Sequence, residues 1–519
     1  MAARQRPKID SPTSPPAGPP AAVPDAWIDA VLVALAALAI ATFAIVAFLR
    51  LGFPFELEWM EGSSIAHLDR VVHGLPLYVK PSIDFTPFIY PPLYFVVASW
   101  VAKLTGVGFV PLRLVSILAS LATMALLFGT VHRESRSRVA GLLAAGLYAA
   151  CYRQGGAWLD IGRTDSLSLC LTLAGYAALR HLPSRWIGGA AGGVLMGLAA
   201  LTKQSALFIA APLAVATIAT HPRRGITYAA TLGAVFGGAV AILNRQSGGW
   251  FDFYVFELPK HHPIIGQLLR GFWIEDFLGP LAIAMVIGSV YFFAPPVRAR
   301  WRWLVVDAAF IGALIVAGYA TRVRVGSYVN VVLPAYLGVA LLFGLGIAAL
   351  AARRSAEPAA RLAARWLLLL CVAQFAVLAY KPWKQIPPAR DRVAGEQIVA
   401  SLKAVQGDVW VPRHPYLGAM AGKPWHAHEL ALQDVLRREE LPQQHAFAEE
   451  LHQAAASRRF AVLVLDDETW VHDEFAPYYK LMAKMFKDDE KDLFFPITGY
   501  YTRPGLVYVP ATDSTGAAQ

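Results

Sequence analysis

Residues 30–49 read AVLVALAALAIATFAIVAFL, and residues 53–62 read FPFELEWMEG. At ~1.5 Å per residue, an uninterrupted apolar helix over 30–49 is long enough to cross the ~30 Å hydrocarbon core of a bilayer. The second stretch places three glutamates directly after that helix. The chain therefore begins its folded part as a membrane helix followed by an acidic loop.

The composition of the whole chain agrees with a membrane protein. Hydrophobic residues make up 56% of the 519 residues and charged residues 16%, against about 45–50% and about 25% in soluble domains. This balance excludes a soluble globular protein, a disordered chain, collagen, a coiled coil and a disulfide-rich module. The three cysteines, in or beside apolar runs, form no metal-binding spacing and suit small buried side chains.

Further apolar runs predict the remaining spans and give a polytopic α-helical membrane protein with about eleven transmembrane helices. They cover residues 109–131, 139–153, 165–180, 187–202, 205–220, 226–243, 278–294, 304–319, 328–350 and 366–380. Residues 90–105, YPPLYFVVASWVAKLT, are apolar but short and begin with two prolines. We expect them to lie flat at the outer interface, because a crossing there would reverse the charge pattern of every later connector.

Charged residues alternate between the connectors. One set is rich in arginine, as at 133–138, 180–185, 223–224, 298–302 and 353–365, and the other set carries most of the acids. Cationic loops prefer the cytoplasm, so we expect a cytoplasmic N-terminus and acidic connectors on the outer face of a bacterial inner (plasma) membrane. The net charge of +10 then reflects contact with the lipid bilayer, and nucleic acid is not expected as a partner.

Composition also divides the chain into three parts. Residues 1–26 are rich in proline, serine and alanine and predict a disordered cytoplasmic tail. Residues 27–380 form the transmembrane part, with a first outer loop over 50–108. Residues 381–519 hold 19 of the 36 acids and alternate helical and strand patterns, which predicts a small soluble periplasmic α/β domain.

The first outer loop is the most informative segment for chemistry. Glu58 and Glu61 are three residues apart and would share a face of a helix. Carboxylates close to each other and to a low-dielectric surface have raised pKa values, so that one of them can act as a base near neutral pH. The alternative is a solvated acidic loop that only helps to fix the topology.

Several motifs occur in an order that resembles the GT-C membrane glycosyltransferases, which include the protein O-mannosyltransferases and the lipid A aminoarabinose transferases. After the acidic loop come Gly74-Leu-Pro-Leu-Tyr78, Pro91-Pro-Leu-Tyr94, Arg163-Thr-Asp165 and Thr202-Lys-Gln204. The resemblance covers roughly residues 27–350. It implies an enzyme that moves a sugar, with inversion, from a polyprenyl-phosphate donor to a hydroxyl of a glycan, lipid or protein acceptor.

The resemblance also implies roles for individual residues. The catalytic base falls on Glu61, with Glu58 as its rival, and Asp84 resembles a second acid that could orient the acceptor. The family commonly has Asp-Glu where Met60-Glu61 stands here, and Tyr90 replaces its histidine before the two prolines. We expect no cofactor and assign no metal-binding residues, although a divalent metal is compatible with the resemblance.

The donor phosphate needs cations, and four residues are candidates: Lys203, Arg163, Arg322 and Arg324. Lys203 lies at the predicted outer hinge, and it could equally be an anchor that reaches the interface. Arg163 could instead pair with Asp160 or Asp165. Arg322 and Arg324 lie on the outer side against the charge rule, which suggests a bound anion or contact with lipid headgroups.

The connector over residues 244–277 combines many aromatic residues with Lys260, His261 and His262. Together with Tyr90, these three residues are candidates for substrate binding, and the aromatic rings could hold a sugar or a prenyl chain. An aromatic belt at the interface is the alternative. Adjacent histidines point in different directions, which is unfavourable for a shared metal.

Two other functional classes compete with a glycosyltransferase. A transporter or flippase of a lipid-linked or polar substrate would need polar residues at mid-membrane in broken helices, usually in repeated halves. The charges of this chain collect at the outer surface instead, and no repeat is visible. An assembly factor that binds partners through its C-terminal part is the third class.

Overall fold

A computed structural model describes residues 26–351, 358–437 and 442–511. The predicted disordered tail therefore lies outside the described residues except for Ala26, as do Arg353 and Arg354 of the last arginine-rich connector. Helices make up most of residues 26–377. Their bounds are Ala26–Leu51, Glu61–Val72, Leu93–Thr105, Phe109–Ser135, Arg138–Ala150, Asp165–His181, Arg185–Thr202, Leu207–Thr220, Pro222–Leu232, Gly238–Gln246, Trp250–Asp252, Leu258–Lys260, Gly266–Gly271, Gly279–Phe293, Pro295–Arg298, Trp301–Arg322, Leu333–Ala351 and Pro358–Val377, with π-helical segments at Gly233–Gly237, Phe253–Glu257 and Phe272–Leu278.

Each of the eleven predicted apolar runs overlaps a helix. Seven of the described helices are long and apolar enough to cross a membrane, when Pro222–Gln246 and Gly266–Phe293 are each counted as one helix that continues through a π-helical segment. Three shorter apolar helices are Leu93–Thr105, Arg138–Ala150 and Gln204–Thr220. The chain therefore has the architecture of a multi-pass membrane protein, whereas the count of eleven spans stays a prediction. The helix Arg185–Thr202 ends at an extended Lys203, and a 3-10 turn over Gln204–Ala206 leads into the next helix.

The helix Phe109–Ser135 connects two chemically different ends of the bundle. Near its start, Arg113 contacts Glu61 and the carbonyl oxygen of Arg50. Near its end, Glu134 pairs with Arg180 at 2.8 Å and with Arg300 at 3.0 Å. The two sites are about 30 Å apart along the helix. We call them the acidic end, which holds Glu56, Glu58, Glu61 and Asp165, and the arginine end, which holds Arg180, Arg224 and Arg300. The chain leaves helix Ala26–Leu51 and enters helix Phe109–Ser135 at the acidic end.

The acidic loop differs from the prediction in its local structure. Helix Glu61–Val72 begins at Glu61, and Glu58 lies in the preceding loop, where its backbone forms a parallel bridge with Thr498. The spacing of Glu58 and Glu61 predicts that they share a helix face. In the structure they do not, because only Glu61 belongs to the helix. The difference arises because Glu58 pairs with a distant segment, which local spacing does not reveal.

The C-terminal part of the chain contains a four-stranded sheet in the order β1-β2-β4-β3. The strands are β1 Val409–Trp410, β2 Val462–Leu465, β3 Tyr479–Lys484 and β4 Leu506–Pro510. β1 and β2 are parallel, and β4 is antiparallel to both β2 and β3. The flanking helices are Ala389–Ala404, Pro415–Met420, Glu429–Leu436, Pro442–Ala456 and Trp470–Phe475. The apolar run over residues 460–465 predicts the buried strand β2, whereas no such run marks β3, an edge strand that is largely exposed and carries lysines.

The membrane helices approach closely where glycines meet. A Cβ atom at Gly346 would lie 2.2 Å from the carbonyl oxygen of Ile287 and 2.6 Å from the Cα of Gly288. Helices Gly279–Phe293 and Leu333–Ala351 therefore touch backbone to backbone. Small residues at helix interfaces serve this purpose in membranes, because close packing replaces the hydrophobic driving force available in water.

We expect Gly346→Ala to destabilise the helix bundle, because the added methyl group must push the two helices apart. Gly312→Ala is the matched control: Gly312 lies inside helix Trp301–Arg322, and a Cβ atom there meets nothing within 4 Å. Thermal unfolding in detergent checks this. The midpoint should fall for Gly346→Ala and should hold or rise for Gly312→Ala, and equal midpoints would contradict the packing described.

Candidate functional site

The acidic loop is fixed by one buried ion pair. Arg113 Nε donates to Glu61 Oε1 at 2.8 Å, and its Nη2 donates to Glu61 Oε2 at 2.7 Å. The same guanidinium donates to the carbonyl oxygens of Phe53 at 2.5 Å and Phe55 at 2.6 Å. Both side chains are fully buried. The planar fork of arginine suits this bidentate contact, so Arg113 ties the end of the first helix, the loop and the start of the second helix together.

Glu61 has no free capacity to act as a base. Besides Arg113, the backbone N–H groups of Leu57 and Gly162 donate to its oxygens at 3.0 Å and 2.7 Å. Although burial acts in the opposite direction, Arg113 and these N–H groups hold the pKa of Glu61 below its ordinary value. Such a carboxylate takes up a proton poorly. The contacts thus argue against our assignment of the base to Glu61 and give it a structural role instead.

Glu58 has the opposite environment. Its side chain is fully buried, yet neither carboxylate oxygen has a hydrogen-bond partner among the described residues. The nearest charge is Arg163, whose Nη1 lies 3.6 Å from Glu58 Oε2. Burial raises the pKa of Glu58 to about 7, against the attraction of Arg163. A buried carboxylate that has this pKa and only a long contact with its cation has the properties of a general base.

Arg163 connects Glu58 to an aromatic surface. Its Nη2 donates to the Tyr90 hydroxyl at 3.1 Å, and its guanidinium lies over the rings of Phe88, Tyr90 and Trp158 at 5.4–5.8 Å. Arg163 Nη1, like the two carboxylate oxygens of Glu58, has no hydrogen-bond partner in the described part of the chain. Arg163 therefore keeps one N–H group without a hydrogen bond beside the Glu58 carboxylate.

Asp165 and Lys203 form a second pair at the acidic end. Lys203 Nζ lies 2.6 Å from Asp165 Oδ1, and Asn330 donates to the same oxygen at 3.1 Å. Trp158 Nε1 donates to the other oxygen at 3.0 Å. The lysine head is 14% exposed, so it is held in place but reachable from the space around Tyr90.

A cavity of about 390 Å³ opens at the acidic end. Tyr90, Lys203, Lys260, His262 and Arg324 line it, so that five of the predicted site residues come together there. The other lining residues are Ile89, Gln204, Ser205, Leu207, Phe208, Val255, Phe256, Pro259, Ala320, Thr321, Val325, Gly326, Ser327 and Val331. The cavity wall is thus apolar on most sides and carries positive charge at Lys203, Lys260 and Arg324.

The remaining predicted residues lie elsewhere. Arg322 donates from Nε to Asp276 at 2.7 Å and does not line the cavity. His261 is about half exposed and lies 3.2 Å from Glu257. Arg163 lies behind Tyr90, one contact from the cavity. The structure therefore places Arg324 and His262 in the cavity lining and Arg322 and His261 outside it. The sequence could not distinguish the members of these pairs, because they are close neighbours in the chain.

Asp84 is held by the C-terminal part of the chain. Its Oδ1 lies 3.1 Å from His426 Nδ1 and contacts Arg459, and these contacts, the hydrogen bond to His426 first, lower its pKa. In the described residues no hydrogen bond or ion pair joins Asp84 to Glu58 or Lys203. Asp84 Oδ1 is thus engaged by the C-terminal part of the chain, and the role of Asp84 in orienting an acceptor stays a prediction.

The structure also shows how the side chains that could bind a metal ion are arranged. Over the ranges that the structure describes, no group of three or more His, Cys, Asp or Glu side chains is close enough to hold a metal ion. His426 lies between Asp84 and Asp408, whereas Glu429 pairs with Arg413. At the acidic end, Glu61 and Asp165 pair with Arg113 and Lys203.

Sequence reasoning missed Arg113, Trp158 and Asn330. A signal existed for Arg113, because an arginine within an apolar helix needs a buried partner, and its place at the same end of the bundle as the acidic loop broke the charge pattern. Nothing in the sequence indicated that Asn330 would reach Asp165, since the two are far apart in the chain.

Comparisons with known proteins agree with this architecture. The profile of the dolichyl-phosphate-mannose-protein mannosyltransferase family matches residues 90–244. Crystal structures of ArnT from Cupriavidus metallidurans are similar in fold. The apo structure has a TM-score of 0.57 at 16% identity, and the structure bound to undecaprenyl phosphate has 0.58 at 15%. Each comparison covers 93% of this chain and 99% of ArnT. No curated protein sequence matches the chain.

These similarities confirm the predicted resemblance to the GT-C superfamily of membrane glycosyltransferases. The matched segment, residues 90–244, contains Tyr90, Arg113, Arg163, Asp165 and Lys203. The resemblance therefore includes several of the residues that build the acidic end, while the loop with Glu58 precedes it.

We expect Arg113→Met to destabilise the protein by about 3–5 kcal/mol, because it leaves the Glu61 carboxylate buried without its cation. Arg392→Met is the control. Arg392 pairs with Glu396 where both side chains are 60% and 58% exposed, and such pairs contribute about 1 kcal/mol or less. Thermal unfolding in detergent distinguishes the two. An unchanged midpoint for Arg113→Met would show that the pair does not hold the loop.

Proposed function

We propose that this protein is a membrane glycosyltransferase that moves a sugar, with inversion, from a polyprenyl-phosphate donor to an acceptor hydroxyl of a glycan, lipid or protein. The family match and the shared fold with ArnT, one structure of which holds undecaprenyl phosphate, support the proposal. The observation that carries it is the cavity at the acidic end, whose cationic and apolar walls are connected through Tyr90 and Arg163 to the buried carboxylate of Glu58.

The cavity suits an amphiphilic anion. Leu207, Phe208 and Phe256 offer an apolar surface for a prenyl chain, whereas Lys203 and Arg324 offer charge to a phosphate. The Arg324 guanidinium donates at 3.4 Å to the carbonyl oxygens of Lys260 and His262. Within the described ranges it pairs with no carboxylate. Its positive charge is therefore available to an anion, and arginine can bind phosphate oxygens bidentately.

Glu58 supplies the base in this proposal. Its carboxylate accepts the proton of the acceptor hydroxyl as that oxygen forms a bond to the anomeric carbon of the sugar. The bond from that carbon to the phosphate oxygen breaks, and the polyprenyl phosphate leaves with the electron pair. Lys203 and Arg324 stabilise the charge that develops on the phosphate.

The contacts favour Glu58 over Glu61 for this role. Glu58 reaches the cavity wall through Arg163 and Tyr90, in steps of 3.6 Å and 3.1 Å. Glu61 is surrounded by donors and turned toward Arg113. A base must be able to gain a proton, and of these two carboxylates it is Glu58 whose environment favours protonation near neutral pH.

We also propose the orientation that the charge pattern predicts. The acidic end and the C-terminal part face the periplasm, and the arginine end faces the cytoplasm. The cavity lining comes from residues at the acidic end, and no residue of the arginine end contributes to the described lining. A site of this kind opens to one side of the membrane, as a transferase requires.

A transfer assay tests the proposed function. The purified protein in liposomes receives undecaprenyl-phosphate sugars labelled in the sugar, together with a panel of hydroxyl acceptors. We expect label to move to an acceptor and undecaprenyl phosphate to be released in equal amount. Label that crosses the bilayer while still attached to its lipid would instead identify a transporter or flippase.

We expect the pH dependence of kcat/KM to report Glu58. The charged groups facing it are Arg163, Glu56, Glu61 and Asp165. Because the base acts only when ionised and its pKa is raised to about 7, kcat/KM should fall about ten-fold per pH unit below that value. Glu58→Gln should lower kcat by about 10²-fold or more and remove this limb. Glu61→Gln should lower thermal stability while the limb remains, and a limb that persists in Glu58→Gln would contradict the assignment.

Neighbouring arginines offer a test of the phosphate site. Arg324→Gln should raise KM for the lipid donor about ten-fold, since a hydrogen bond to a charged group contributes about 1.5–3 kcal/mol. Arg322→Gln should leave this KM unchanged, because Arg322 pairs with Asp276 outside the cavity. Donor titrations at saturating acceptor measure both values. The same rise in both variants would place the phosphate elsewhere.

A further inference from the structure

The C-terminal part of the chain contacts the acidic loop through backbone as well as side chains. Thr498 N–H donates to the carbonyl oxygen of Leu57 at 3.1 Å, and its hydroxyl donates to that of Gly156 at 2.5 Å. Its hydroxyl also lies 3.2 Å from that of Tyr328. Thr498 thus joins the loop that carries Glu58 to two other segments, one at Gly156 and one at Tyr328.

Gly499 packs directly against the Glu58 side chain. A Cβ atom at Gly499 would lie 2.9 Å from Glu58 Cγ, 3.0 Å from Glu58 Oε1 and 2.9 Å from Trp59 Cδ1. The backbone φ of Gly499 is +85°, a conformation that favours glycine. The C-terminal segment therefore forms one wall of the pocket around the carboxylate, and only a residue without a side chain fits there.

His414 holds the same loop from a second point. Its Nδ1 lies 2.6 Å from Glu56 Oε2, and its Nε2 lies 2.9 Å from Asp466 Oδ2. All three side chains are about 3% exposed. The other Glu56 oxygen accepts the Gly62 N–H at 3.0 Å. Glu56 and Gly62 lie on either side of Glu58 in the chain. The contacts of Glu56 with His414 and Gly62 therefore hold the loop on both sides of Glu58.

The positive charge of His414 keeps its contacts with the two carboxylates in place near neutral pH. The carboxylates of Asp466 and Glu56 outweigh desolvation and raise the pKa of His414 to about 10, and burial raises that of Glu56 to about 8. His414 therefore stays protonated near neutral pH, and each of its ring N–H groups can donate to a carboxylate oxygen. Both ring nitrogens face carboxylate oxygens, so the ring orientation is fixed from both sides.

From these contacts we propose that the C-terminal part of the chain completes the active site, and that Gly499 and His414 are positioning residues for the Glu58 carboxylate. The proposal rests on the proposed function, which makes Glu58 the base. Neither residue touches the substrate in this account. They act by setting where the Glu58 oxygens lie, and a displacement of about 1 Å can lower a rate by about 10²-fold.

The decisive experiment compares two glycine variants. Gly499→Ala and Gly422→Ala both place alanine at a positive φ, +85° and +76°, but a Cβ atom at Gly422 meets nothing within 4 Å. The two variants share the backbone strain and differ in the contact with Glu58. We expect Gly499→Ala to lower kcat by about 10²-fold with KM for the lipid donor within about two-fold, and Gly422→Ala to keep kcat.

A second set of variants keeps the proposal testable if Gly499→Ala does not fold. His414→Asn retains a donor for Glu56, whereas His414→Leu does not, so kcat should be partly restored in the asparagine variant. His426 is the matched control, because it is also buried between two carboxylates, those of Asp84 and Asp408. Both substitutions at His426 should lower the thermal midpoint without lowering kcat.

The outcomes separate this proposal from the proposed function. Equal kcat losses in Gly499→Ala and Gly422→Ala, or in the two His414 variants, would overturn it. So would unchanged kcat in Gly499→Ala while Glu58→Gln is inactive, and in that case the role of Glu58 as base would stand. Full activity of Glu58→Gln would instead overturn the base assignment, and the positioning proposal with it.

Discussion

The ion pair between Arg113 and Glu61 is the constraint on which the acidic end depends. Arg113 lies in a membrane helix, and its guanidinium is buried with donors directed at Glu61 and at carbonyl oxygens of the loop before it. A buried guanidinium is costly unless its donors are used. This requirement draws the acidic loop against the bundle and leaves Glu58 enclosed without a hydrogen-bond partner in the described chain.

Two carboxylates three residues apart therefore have different chemistry. Glu61 is stabilised as an anion by Arg113 and by backbone N–H groups, whereas Glu58 faces Arg163 at a longer distance and has a raised pKa. Environments that push the pKa values of neighbouring acids apart are typical of sites where one acid reacts and the other organises. Here the division follows from which carboxylate lies within reach of the buried arginine.

The same physical reasoning explains how much the sequence could predict. Apolar runs and alternating charge indicated the membrane helices, and a single chain position such as Lys203 at a helix break pointed to the cavity. Local patterns could not rank Glu58 against Glu61, since their difference comes from Arg113, some 50 residues away, and from Gly499 at the other end of the chain. The edge strand β3 was missed for a similar reason, because its pairing with β4 is not encoded in its own apolar pattern.

Sugar transfer at the acidic end requires a lipid phosphate to bind in the cavity there. A structure of the protein with undecaprenyl phosphate tests it most directly. We expect phosphate density in the cavity within hydrogen-bond distance of Lys203 and Arg324, with the prenyl chain along Phe208 and Phe256. Phosphate density at the arginine end, against Arg180 or Arg300, would contradict the proposed function.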